Sequence, residues 1–119
     1  MAEDAASDMK ARLRAELRTA MKDRRTLEAR VIRALVAAID NAEAPPAHEG
    51  QRALALEPLR RTSAEVERLL LSRAQVRDLL LREIRERECA ASELERLEMR
   101  DRAGTLRAEA LVAKRYIEG

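Results

Sequence analysis

The chain has no tryptophan, no phenylalanine and one tyrosine in 119 residues. That excludes a core of stacked rings. It also excludes the aromatic platform that usually holds single-stranded nucleic acid, because Tyr116 cannot form one alone. Three glycines and three prolines are too few turn-formers for a protein of many short strands. The single cysteine, Cys89, permits no intramolecular disulfide, which fits a reducing compartment. No apolar run approaches the roughly 20 residues of a membrane span, and the opening "MAEDAASD" is acidic where a signal peptide would be basic. A soluble, cytoplasmic protein is expected, with no membrane partner.

The motifs of common chemistries are missing as well. There is no glycine-rich phosphate loop, no cysteine pair of a zinc site and no helical pair of histidines. The one histidine, His48, has no ligand-type residue at suitable spacing and reads as a solvent residue. Ser7, Ser63, Ser72 and Ser92 have no histidine near them in sequence. Cys89, inside a helical pattern, reads as a buried or half-buried small residue rather than a nucleophile. No catalytic residue, metal or cofactor is expected.

What is present is 46% apolar residues, chiefly Leu, Ala, Val, Ile and Met, together with 39% charged residues. This is the composition of helices. The periodicity predicts an all-α fold, one domain over 1–119. It is a bundle of four main helices at about 9–23, 26–43, 73–98 and 102–117, with a short extra helix near 63–70 and a linker at about 44–61. Met9, Leu13, Leu17 and Met21 recur on one face of the first helix, with Asp8 as its cap. Thr26 is read as the cap of the second. There Leu27, Val31 and Leu35 form one stripe and Ile32, Val36 and Ile39 a second beside it. Ala34, Ala37 and Ala38 would allow close approach of a neighbouring helix. Pro45 and Pro46 end this helix.

The stretch "AEVERLLLSR" from Ala64 is echoed by "AQVRDLLLRE" from Ala74. Ten residues advance a helix by about 1000°, so the two leucine triplets cannot share a face. A break near Ser72 follows, and Ser72 with Gln75 fits a capping box. Val76, Leu80, Ile84, Ala91 and Leu94 make the seam of the long helix, with pairs such as Arg82 and Glu86 on its exposed side. Asp101 is read as the cap of the last helix. Leu106, Ala110, Ala113 and Ile117 form its apolar face, and Gly104 costs it about 1 kcal/mol relative to Ala. Tyr116 is expected to pack that helix onto the bundle.

The net charge is only +2, but cations are unevenly placed. Between Met9 and Arg33 stand Lys10, Arg12, Arg14, Arg18, Lys22, Arg24, Arg25, Arg30 and Arg33. Against these nine are Glu16, Asp23 and Glu28, a local excess of six. A basic hairpin of this kind seats a phosphate backbone, or is simply a solvated face. For Arg33 the structural alternative is an ion pair with Glu28, Asp40 or an acidic residue of the third helix.

The run "LRAELRTAMKDRRTLEARVIRALVAAIDNAE" resembles the N-terminal signature of the GatB/YqeY family. The matches are Ala20, Met21 and Lys22, then Ile32 and Arg33, then Leu35, Ala37, Ala38, Ile39, Asn41 and Glu43. The second half is similar at Ser72, Val76, Leu80, Glu83, Ile84, Leu111, Tyr116 and Ile117. The resemblance implies an all-helical domain related to the tail of the B subunit of the glutamine-dependent tRNA amidotransferase. In that assembly the tail touches tRNA and the chemistry is done elsewhere. It also implies the inherited label of carbon-nitrogen ligase with glutamine as amido-N-donor. The chain departs from the family at Arg25, where Asp is common, and at Arg30 and Val31, where Ser-Thr is common. It also lacks the glycine usual in the turn near Glu98, carries Gly104 where a helix former is usual, and stops before the family's second domain.

Two functions are therefore expected. One is a non-catalytic module that meets tRNA or an amidotransferase complex, with Lys22, Arg30 and Arg33 as nucleic-acid-binding candidates and Asn41 and Glu43 as motif residues without an assigned role. The alternative is a protein-interaction or self-associating bundle with no nucleic-acid role.

Overall fold

A computed structural model describes residues 4–45 and 69–118. They form four helices and, among the described residues, no strand: α1 (Ala5–Lys22), α2 (Thr26–Glu43), α3 (Arg73–Arg96) and α4 (Arg100–Glu118). All of the linker after Pro45 and all but two residues of the expected short helix lie outside the described residues. Those two, Leu69 and Leu70, are not helical.

The helix starts follow local chemistry. α1 begins earlier than its leucine pattern suggests, because Asp4, not Asp8, is the cap: its carboxylate accepts from the Ser7 amide at 3.0 Å. α2 also corrects its expected cap. Thr26 is already helical, and Arg25 occupies the cap position with no side-chain cap bond. α3 carries the expected capping box, with the Gln75 amide donating to Ser72 at 3.1 Å and the Ser72 amide donating to the Gln75 side chain at 2.8 Å. Asp101 lies inside α4, one residue past its start.

Both tight turns use one device. At the end of α1 the Arg24 amide donates to Met21 and the Arg25 amide to Ala20; at the end of α3 the Glu98 amide donates to Glu95 and the Met99 amide to Leu94. These are Schellman closures, which require the residue after the cap to turn left-handed. Arg24 has φ 59° and Glu98 φ 62°. Glycine is the usual occupant of such a position, since a Cβ there is strained.

α1 with α2 and α3 with α4 form two hairpins. The two stripes of α2 lie between them. Val31, Ile32, Leu35 and Ile39 are buried against Leu13 of α1, Val76, Leu80 and Ile84 of α3, and Ala110, Ala113 and Tyr116 of α4. Toward its turn the α3–α4 hairpin leaves this core. There it closes on two buried alanines, Ala91 and Ala103, whose size lets the helices approach closely. The alanines expected to play that part in α2 do not: Ala37 is exposed and Ala34 and Ala38 are half-buried. Met21 is also exposed, because it falls at the turn, past the partner it would pack against.

Candidate nucleic-acid interface

The polar side chains of the two hairpins sort into those that hold the fold and those that do not. Glu43 belongs to the first group. It is 4% exposed, and Lys10, itself 2% exposed, donates to it at 2.5 Å and to Asp40 at 2.8 Å. Burial disfavours the Lys10 charge, but the hydrogen bonds and fields of the two carboxylates outweigh it and raise the pKa. The pair pins the start of α1 to the end of α2, where the Leu69 amide also donates to the Glu43 carbonyl at 2.8 Å. Asn41, its motif neighbour, is exposed and makes no side-chain hydrogen bond among the described residues.

Arg30 is also a structural tie. Its guanidinium reaches across to α4 and donates twice to one oxygen of Glu109, at 2.9 and 3.2 Å. Arg87 of α3 donates to the other oxygen at 3.1 Å, so one nearly buried carboxylate joins three helices. Arg87 in turn bridges to Glu83, one residue along from the expected Arg82–Glu86 pair, which does not form.

A second tie joins α1 to α4, whose backbones do not meet. The Tyr116 hydroxyl donates to Glu16 at 2.6 Å, and the Arg12 guanidinium lies 4.7 Å from the tyrosine ring centre while donating to the Arg115 carbonyl. Burial, followed by the bond to Glu16, pushes the phenol well above its usual range, so it remains a donor. The tyrosine is 3% exposed and packs the last helix, as expected.

The remaining cations of the first hairpin lie together. Lys10, Arg14, Arg18 and Lys22 form one row at four-residue spacing, rising about 6 Å and turning about 40° per step. The row starts inside the fold at Lys10 and winds outward. Arg14, Arg18 and Lys22 are exposed and, among the described residues, have no acidic partner. Arg33 joins them from α2: it is exposed and donates to the Met21 sulfur at 3.4 Å, so it lies over the end of the row. The ion pair considered as the structural alternative for Arg33 is absent among the described residues, and Glu28 and Asp40 are engaged elsewhere. Glu28 is held by Arg25 and Arg115, and Asp40 by Lys10.

Of the three candidate cations, then, Lys22 and Arg33 share this outer flank and Arg30 is turned away into an ion pair. Arg14 and Arg18 were not singled out from the sequence, although their spacing from Lys22 marks the row. Within α1 and α2 every carboxylate except Asp8 has a partner, which leaves the flank cationic. Asp8 lines an open groove of about 520 Å³ between α1, α3 and the end of α4.

Among the described residues the exposed large apolar side chains are spread along the fold, with Leu69 beside Leu70, Met99 near Leu97 and Met21 at the α1–α2 turn. Leu70 precedes α3, Leu97 follows it at the far end of 24 residues, and Leu111 lies in the middle of α4. Cys89 is exposed, against expectation, because it falls on the outer side of α3 where that helix has left the core. Among the described residues no group of His, Cys, Asp or Glu is placed to hold a metal, and no helix is long and apolar enough to cross a membrane. Comparison with protein-family models, curated proteins and solved structures finds no match to the chain.

Proposed function

We propose that the chain is a non-catalytic helical module that binds folded RNA, of which tRNA is the leading case, through the outer flank of the α1–α2 hairpin. The observation that carries this reading is the row Arg14, Arg18 and Lys22, completed by Arg33: four cations side by side, without carboxylate partners among the described residues. Ion pairs elsewhere in the hairpin show that carboxylates were available, and they are engaged with other cations. Folded RNA is gripped by shape and phosphate contacts, for which arginine and lysine suffice without aromatic side chains. The resemblance to the GatB/YqeY signature supports placing the module with a tRNA-dependent amidotransferase. The carbon-nitrogen ligase chemistry of such a complex would be supplied by another component.

The test is a titration of labelled tRNA across a series of salt concentrations, for the wild type and for Arg14→Gln/Arg18→Gln/Lys22→Gln. Affinity is expected to fall linearly in log salt. The triple variant, folded as judged by circular dichroism, should lose about one unit of slope for each phosphate contact removed. Arg82→Gln/Arg85→Gln, two exposed cations on α3, should keep the wild-type slope. Absence of binding at low salt would overturn the reading.

A further inference from the structure

Beside the α1–α2 turn lies a cavity of about 340 Å³ whose chemistry differs from that of the phosphate row. Its floor is apolar, made by the buried alanines Ala20 and Ala29 and by the half-exposed side chain of Met21. Its rim is three guanidinium groups, Arg24, Arg25 and Arg33. Arg25 is fixed by Asp23 and Glu28 and forms a wall. Arg24 and Arg33 have no carboxylate partner among the described residues. A phosphate alone needs no apolar floor, and a hydrocarbon needs no cationic rim. The two together match a nucleotide, in which a flat apolar face is joined to an anion.

We infer that this cavity is a subsite for one unstacked nucleotide of a folded RNA, its base on Met21 and the alanines and its phosphate between Arg24 and Arg33. The inference rests on the RNA-binding reading above and adds to it a preference for RNA with an extruded base. Guanidinium planes and a polarisable methionine sulfur are the stacking surfaces open to a protein without Trp or Phe. The backbone points the same way. Arg24 occupies a left-handed position that glycine would fill at less cost, while its side chain makes no hydrogen bond or ion pair among the described residues. Glu98 has the same conformation at the other turn, so conformation alone marks no site. What distinguishes Arg24 is the apolar cavity beside it and a second guanidinium, Arg33, that lines the same cavity without a carboxylate partner among the described residues.

The experiment compares two RNA hairpins of equal length, one a continuous duplex and one with a single-nucleotide bulge. Each is titrated at low salt against the wild type, Arg24→Gly and Arg33→Met. The wild type should bind the bulged RNA roughly tenfold or more tightly than the continuous one, the scale of one stacked base. Both variants should lose that ratio. Arg24→Gly is a sound control because glycine suits the turn, so its urea midpoint should equal or exceed that of the wild type. Equal affinity of the wild type for the two RNAs would overturn the subsite and leave the phosphate row standing. A bulge preference that survives in Arg24→Gly would also overturn it. Failure of both RNAs to bind at low salt would remove the subsite and the RNA-binding reading together.

Discussion

Lys10 shows how one residue can be misplaced by its type. In sequence it is one of nine cations in a basic segment, yet it is buried on two carboxylates, Asp40 and Glu43, thirty residues and more away. The feature that decides this is its position in the row, one turn closer to the α2 interface than Arg14, and only the hairpin geometry reveals it. Removing the cation takes a charge partner from the buried Glu43 carboxylate, which costs more than the pair itself contributes. Lys10→Met is therefore expected to lower stability in urea by about 1.5–3 kcal/mol. Lys10→Met/Glu43→Leu should be clearly milder than the single change. A double variant as damaged as the single one would show that the site matters for packing rather than for charge compensation.

At the scale of helices and turns, the α3–α4 hairpin carries its glycine in the wrong place. Gly104 sits within α4, exposed, where an added Cβ would meet nothing within 4 Å. Glu98, six residues earlier, holds the left-handed turn that glycine suits. Glu98→Gly and Gly104→Ala should each stabilise the protein by about 0.5–1 kcal/mol and, being independent, should add. Thermal melts of the two single variants and the double variant check this. Both defects can be read from the sequence as departures from the usual placement of glycine. The helices themselves were legible to within a few residues, because α2 and α3 combine strong apolar periodicity with a clear end at Pro45 for α2 and a clear start at Ser72 for α3. Their caps were less so. Asp4 and Asp8 are equally good by type, and the choice between them depends on how far α1 extends over Ala6, which lies in the core.

For the molecule as a whole, two buried proton donors, Lys10 and Tyr116, hold the ends of α1 and α4 in place. Both have folded-state pKa values raised above their ordinary ones. The folded state therefore keeps protons that the unfolded chain releases above about pH 10. The stability they contribute is complete below that pH and is lost as pH rises further through the folded values. The melting temperature should be flat from neutral pH to about 10 and then fall. Tyr116→Phe should fall less steeply there, though from a lower starting point, since it removes the shorter of the two hydrogen bonds to Glu16, that of Arg12 remaining. The candidate site was only half legible on this scale. That the first hairpin is basic follows from composition. Which cations face outward follows from where Glu109 and Asp40 lie, and those partners come from distant parts of the chain.

The winding row on α1 has a consequence for how the protein meets anything charged. With every carboxylate but Asp8 paired, and with Arg14, Arg18, Lys22 and Arg33 together on one flank, the α1–α2 hairpin carries its positive charge unevenly although the net charge of the chain is only +2. In the field of a polyanion such a molecule is turned before it touches. It arrives with α1 leading, and the search over orientations that slows most encounters is largely done by the field.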